Sequence, residues 1–330
     1  MDVKHFQKVI ADFEHSGCDY TADDVIAEFA SDNPDNFLFP FMEGVIANLK
    51  TLGKIRTSET YAATLCSFRR FRDDKDVPLD DMDSDMMMAY EAYLKNNGVS
   101  PNSSSFYMRN LRAVYNRAVE KGLTSQRFPF KHVYTGVEKT VKRAVPLKVI
   151  KRIKEMDFSM NPSFDFARDM FLMSFYTRGM SFVDMAYLRK KDLQNGVLSY
   201  RRRKTGQQLF IKWEKCMQEI VDKYDTSQSN YLLPIIKPFG DIDERTQYIY
   251  AAHNINRCLK IIGKELGLSV SLTLYVARHA WASIAKSKNV PLSVISEGMG
   301  HDSEATTRIY LASLDTVAID KANSMILKSL

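Results

Sequence analysis

The sequence predicts a mainly α-helical chain built as two domains, the second carrying a small β-hairpin. Three features predict this. Apolar residues recur at helical spacing along most of the chain, one short stretch alternates around a Lys-Thr-Gly turn, and a basic, proline-bearing stretch separates two helical blocks. At 330 residues the chain is too long for one small core and comfortable for two domains. Its 45% hydrophobic and 26% charged content is that of an ordinary globular protein.

Residues 1–36 read as an acidic appendage, with a short helical pattern over 22–29 and a break at Asn33-Pro34-Asp35-Asn36. They hold nine acidic side chains against Lys4 and Lys8, a net of −7, so a whole-chain charge of +6 leaves +13 on the remainder. A body this basic suits a nucleic-acid partner, and an acidic opening would avoid one.

Residues 37–135 read as a helical domain. Tyr61, Leu65 and Phe68 share one helix face, and Arg69, Arg70 and Arg72 crowd the next turn. Tyr107, Leu111, Val114 and Ala118 repeat the pattern, with Arg109, Arg112 and Arg117 elsewhere on that helix and Gly122 as its stop. The aromatic and leucine positions read as core. The arginines are solvated faces or phosphate contacts, with Arg69, Arg70, Arg109 and Arg112 as the candidates for contact.

Residues 139–154 hold seven basic side chains and no acidic one, with Pro146 among them. We read 136–147 as a linker whose Lys142 and Arg143 can cross a phosphate backbone, and 148–330 as the second domain. There, 164–176 reads as a buried helix, and 197–201 and 209–213 as a hairpin joined by a tight turn at Lys204-Thr205-Gly206. Residues 251–266, 272–286 and 291–298 read as helices, the last opened by Pro291.

Several function classes are excluded. No apolar run approaches membrane-spanning length, and Met1-Asp2-Val3-Lys4 opens no signal peptide. Cys18, Cys66, Cys216 and Cys258 lack paired spacing and read as reduced thiols of a cytoplasmic protein. Asp81-Met82-Asp83-Ser84-Asp85 starts like a calcium loop, but Met86 takes the glycine position and Ala92 the terminal glutamate. No phosphate-binding lysine loop, dinucleotide glycine fingerprint or metal-spaced histidine pair is present, so neither a cofactor nor a catalytic metal is expected.

The chemistry concentrates near the C-terminal end. Gly300-His301-Asp302-Ser303-Glu304-Ala305-Thr306-Thr307-Arg308-Ile309-Tyr310 lies downstream of Ala277-Arg278-His279. An arginine can hold a phosphate, a histidine can hydrogen-bond it, and a phenol oxygen can attack it. Gly300-His301 followed by Thr306-Thr307-x-x-Tyr310 resembles the C-terminal end of tyrosine recombinases, the phage-integrase family of site-specific DNA recombinases.

That resemblance implies roles residue by residue. Tyr310 would be the nucleophile, and Arg278 would clamp the scissile phosphate. His301 would hydrogen-bond a non-bridging oxygen or accept the tyrosine proton. Tyr275 stands where the family's box usually has histidine, and its hydroxyl can donate to phosphate; His279 would anchor its helix. Lys204, on the hairpin, would protonate the departing 5′ oxygen, while Arg201 to Arg203 would be backbone contacts or surface charge. Position 181, where the family usually carries its first arginine, holds serine, and Arg178 one helical turn earlier is the candidate substitute, with Asp184 orienting the site. The run Tyr176-Thr177-Arg178-Gly179-Met180-Ser181-Phe182-Val183-Asp184-Met185 is similar to integrases of Bacteroides-type mobile elements.

For the whole chain the family implies a two-domain DNA clamp, a helical core-binding domain followed by an α+β catalytic domain. It also implies a free monomer that forms a homotetramer on synapsed double-stranded DNA, helped by DNA-bending accessory proteins, in the bacterial nucleoid. Ser313-Leu314-Asp315 would cap an exchange helix with Ile319, Ala322 and Ile326 as its apolar stripe. Two rivals remain. A DNA-binding regulator would use 291–311 as a helix-turn-helix, although Asp302 and Glu304 would repel phosphate. A type IB topoisomerase or telomere resolvase would use similar residues.

Overall fold

The computed structural model describes residues 3–17, 19–22, 24–25, 36–138, 144–237, 241–311 and 323–327. The chain divides into two compact units, Met1–Lys139 and Thr140–Leu330.

The first unit begins with α1 (Val3–Ser16), a helix that the acidic reading of the opening did not foresee. Most of the helix expected at 22–29 lies outside the described residues. Four helices follow: α2 (Leu38–Thr51), α3 (Ile55–Phe71), α4 (Ser84–Asn96) and α5 (Pro101–Glu120). Asp83 caps α4 by accepting from the Met86 amide, which explains the acidic run that only mimics a calcium loop. Ser100 caps α5 and Pro101 fills its first turn, where a missing N–H is harmless. Their inward faces meet around Phe68, whose ring sits edge-on to Tyr90 at 5.0 Å. Tyr61, Leu65, Leu111, Val114 and Ala118 are buried with them, as their spacing requires.

The second unit starts with α6 (Leu147–Glu155), whose Val149, Ile150 and Ile153 are buried while its lysines face solvent. Lys142 and Arg143 lie outside the described residues. Helix α7 (Pro162–Tyr176) runs through the core, and the short α8 (Phe182–Ala186) follows a sharp corner. Next comes an antiparallel sheet of β1 (Leu193–Gln194), β2 (Val197–Arg201) and β3 (Gln208–Lys212), with Leu198 opposite Ile211 and Tyr200 opposite Leu209. Helices α9 (Lys215–Asp222), α10 (Glu244–Glu265), α11 (Leu274–Ser287), α12 (Leu292–Gly298) and α13 (Glu304–Leu311) follow, and residues 323–327 are helical as well.

The small hairpin or sheet expected from the sequence is present, with one addition and one correction. It has a third strand, β1, joined to β2 through Asn195 and Gly196, both at positive φ as a two-residue hairpin turn demands. The turn between β2 and β3 is also wider than a tight turn. It spans six residues, 202–207, closed by the Arg202 amide donating to the Gln207 carbonyl at 2.8 Å.

On α7 a buried ion network forms a second structural centre. Asp169, 2% exposed, accepts from Arg168 Nε at 3.0 Å, Lys223 Nζ at 2.5 Å and the Tyr224 hydroxyl at 2.8 Å. No described helix is long and apolar enough to cross a membrane.

Candidate active site

Three corners of the second unit meet at Arg278 on α11. This side chain is 5% exposed; its Nη1 donates to the Gly179 carbonyl at 2.6 Å and its Nη2 to the Met299 carbonyl at 2.7 Å. Gly179 is at φ +75°, and a Cβ built on it would stand 2.7 Å from Arg278 Cα. Only glycine lets the corner after α7 approach α11 this closely.

His301 stands against the same guanidinium. Its Nε2 lies 2.9 Å from Arg278 Nη2, and its Nδ1 lies 2.7 Å from Thr307 Oγ1. A guanidinium has no acceptor, so Nε2 must accept here, which leaves the ring proton on Nδ1 donating to Thr307. Burial first, then the charges of Arg278, Arg202 and Lys204, lower the His301 pKa to about 4. The ring is therefore neutral at pH 7, and in this arrangement Nε2 has no proton to give. Of the two roles open to His301, donation from Nε2 to phosphate requires the ring to change partner or tautomer.

The hairpin turn docks on the glycine before His301. Arg202 Nη1 donates to the Gly300 carbonyl, and Thr205 Oγ1 reaches the same oxygen at 3.5 Å. Gly300 has φ +64°, and a Cβ there would stand 2.9 Å from Leu209 Cδ1 and 3.1 Å from Arg202 Cδ. Lys204 is exposed on this turn, and its charge acts on His301.

Asp184, 4% exposed, joins the turn to the corner after α7: its Oδ1 accepts from the Arg203 amide at 2.9 Å and its Oδ2 from the Ser181 hydroxyl at 2.6 Å. Ser181 is the N-cap of α8. The serine at the family's arginine position thus has a local job, helix capping and carboxylate support. Arg178 has φ +61°, rare for a side chain with a Cβ, and is half-buried. Its Cδ lies 3.6 Å from the Cβ position of Gly298, beside Trp281. Its charge, like those of Arg278 and Arg202, acts on the buried Tyr200 hydroxyl, which burial holds well above its ordinary pKa.

The remaining expected residues are placed as follows. Tyr275 is 55% exposed and meets His279 edge-on at 4.6 Å; His279 is buried. Tyr310 falls in the last turn of α13, and its side chain lies outside the described part of the structure. Arg201 and Arg203 are exposed; Arg201 donates to the Gly206 carbonyl, and the Arg203 guanidinium lies 3.6 Å from the Tyr187 ring centre. In the first unit Arg70, Arg109 and Arg112 are exposed, while Arg69 is engaged by Glu43 at 2.6 Å and lies over the Phe39 ring. Of the exchange helix, 312–322 lie outside the described residues. No cluster of metal-ligating side chains occurs among the described residues.

Arg202, expected as a backbone contact or surface charge, is instead buried at 7% exposure because it points inward against Gly300, and Thr307 was given no role. A signal for Arg202 existed: Leu198 and Tyr200 face inward on β2, so period-two alternation carries position 202 inward as well.

The model for the phage integrase SAM-like domain matches residues 37–133, and the model for the phage integrase family matches 147–316. No curated protein sequence matches the chain. Among solved structures, a lambda integrase dimer bound to a COC' core site is 17% identical, with a TM-score of 0.66 over 92% of this chain and 85% of that one. A lambda integrase tetramer bound to a Holliday junction is 18% identical, with a TM-score of 0.62 over 91% and 84%. The Tn1549 transposon integrase in complex with a circular intermediate DNA is 15% identical, with a TM-score of 0.57 over 82% and 94%. At such identities the structural likeness speaks for the fold, and the family models speak for descent. The chain belongs to the phage integrase family and is a tyrosine-type site-specific DNA recombinase.

Proposed function

We propose that the chain cuts and rejoins double-stranded DNA at a specific site through a phosphotyrosyl intermediate, with Tyr310 as nucleophile. The observation that carries this reading is the convergence of Arg278, His301 and the Lys204 turn around one buried cationic centre, with α13 leading directly from His301 to Tyr310.

The Tyr310 phenol oxygen forms a bond to the scissile phosphorus while the bond from phosphorus to the 5′ oxygen breaks. The phenol proton leaves to a base, and Lys204 delivers a proton to the departing 5′ oxygen. Arg278 and Arg178 stabilise the charge that builds on the non-bridging oxygens, and Tyr275 donates to one of them. Asp184 and His279 hold these groups in place. The phosphotyrosyl bond conserves the energy of the phosphodiester, so a free 5′ hydroxyl can reverse the reaction on a new strand without ATP. Phosphate contacts outside the site come from Arg70, Arg109 and Arg112, from Lys142 and Arg143, and from Arg201 and Arg203. Arg69 joins them only by leaving Glu43.

The lambda structures, a dimer on a core site and a tetramer on a Holliday junction, support synapsis of two duplexes by four protomers. A bacterial mobile element of the Bacteroides type, working on nucleoid DNA, fits the Tyr176 to Met185 run.

Covalent capture tests the reading. Nicked duplexes with a randomised core are incubated with the protein, and DNA that stays attached through denaturation is recovered and sequenced. Adducts of one core sequence that disappear in Tyr310→Phe are expected. Gel shifts without any adduct would identify a regulator, and relaxation of supercoiled plasmid lacking the core would identify a topoisomerase.

A further inference from the structure

Arg202 has no role in the mechanism above, yet its surroundings are those of a ligand-binding group. It is 7% exposed, and its Nε is buried with no hydrogen-bond partner. Among the described residues no carboxylate lies within ion-pair distance of it. Asp184, the acid that braces the same hairpin turn, already accepts from Ser181 and from the Arg203 amide. A buried guanidinium without an anion is expensive to keep, and the expense is removed when an anion arrives. The Nη1 bond to the Gly300 carbonyl orients the planar group next to His301, and the buried Nε is left without a partner.

The neighbourhood also lacks something. The position at which an arginine was expected holds Ser181, and that hydroxyl is committed to Asp184 and to the N-terminus of α8. Arg202 reaches the site from β2, a different segment of the chain, through the inward side of the strand.

We propose that Arg202 is a catalytic residue, a further guanidinium on the scissile phosphate that donates to a non-bridging oxygen beside Arg278, in addition to the contact given to Arg178. The proposal rests on the recombinase reading given above. It concerns charge on the phosphate, so it is tested by removing that charge.

The probe is the duplex captured by the wild-type protein, made once with an ordinary scissile phosphodiester and once with an uncharged methylphosphonate at that position. On the ordinary duplex Arg202→Ala forms adduct more slowly than wild type by on the order of 10²–10³, the effect of losing one donor to a developing oxyanion. On the uncharged duplex the two proteins run at comparable rates, because no anionic oxygen remains to be balanced. A purely structural arginine behaves otherwise, since changing the substrate does not repair a distorted turn. A variant that lags as far behind on the uncharged duplex, or forms no adduct there, overturns the proposal; so does a variant with no deficit on the ordinary one. Arg202→Met, which fills most of the same space without the charge, takes the same comparison if Arg202→Ala does not fold. If the wild-type protein captures no DNA, the recombinase reading fails and takes this proposal with it. Wild-type adducts together with a fully active Arg202→Ala overturn this proposal alone.

Discussion

Replacing Gly179 by alanine should damage both stability and chemistry, and the size of the damage can be worked from three glycines of the same unit. Gly206 has φ +74° with nothing within 4 Å of its Cβ position, so Gly206→Ala meets only the backbone penalty, roughly 1–2 kcal/mol. Gly300 has φ +64°, and its Cβ would press on side-chain ends at 2.9 to 3.3 Å, which can give way; Gly300→Ala should cost about 1 kcal/mol beyond the backbone penalty. Gly179 has φ +75°, and its Cβ would meet Arg278 Cα at 2.7 Å and Cγ at 2.8 Å. A main-chain atom of a packed helix cannot rotate away, so an overpacking term of about 1–3 kcal/mol is added in full, giving roughly 2–5 kcal/mol in all. Activity should fall further still, because relief of the clash displaces the phosphate-binding guanidinium by something near 1 Å, and a displacement of that size can cost about 10²-fold in rate. Urea unfolding ranks the three variants, and covalent adduct formation at equal folded concentration measures the kinetic part. If Gly179→Ala is no less stable than Gly206→Ala, or cleaves as fast, the close approach of the corner to Arg278 does not exist as described.

Other outcomes follow from the same geometry. His301 has a folded pKa of about 4 against an ordinary 6.5, so the unfolded chain takes up a proton first as the pH falls. Its contribution to stability is complete above pH 6.5 and is lost down to pH 4, by up to roughly 3 kcal/mol, and unfolding of His301→Gln across that window should lack this slope. Ser181→Ala should lose about 1 kcal/mol of helix capping and leave cleavage nearly unchanged, whereas Arg178→Ala should abolish adduct formation; equal activity of Arg178→Ala and wild type removes Arg178 from the mechanism. Asp169→Asn should destabilise the fold by about 1–3 kcal/mol, since Arg168 and Lys223 keep only Asp165 as a carboxylate partner, while cleavage per folded molecule stays at the wild-type rate.

The helices were legible wherever burial follows a simple period. Tyr61, Leu65 and Phe68, or Leu111, Val114 and Ala118, share a face by spacing alone, and burial follows. Arg278 and His301 could be picked out because the sequence distances among an arginine, a glycine-histidine turn and a tyrosine carry the chemistry. Other parts depend on contacts that local sequence does not encode. Nothing in Arg202 says that its neighbour is Gly300, nearly a hundred residues away, whereas the cap of α8 did have a local signal, the Ser-x-x-Asp spacing of Ser181 and Asp184. The third strand was a missed signal of another kind: Asn195-Gly196 is strong turn chemistry, but β1 is only two residues long, too short for alternation to register. Helix α1 was hidden by reading an acidic stretch for its charge and not for its period.

Among the described residues, the guanidinium of Arg278 is gripped by the peptide oxygens of residues 179 and 299. Point substitution does not delete a carbonyl, so this cradle persists through exchanges that would dismantle a carboxylate-built one. A cation moored in this way, in the phosphate-holding role proposed for Arg278, can keep its place while the side chains around it are exchanged.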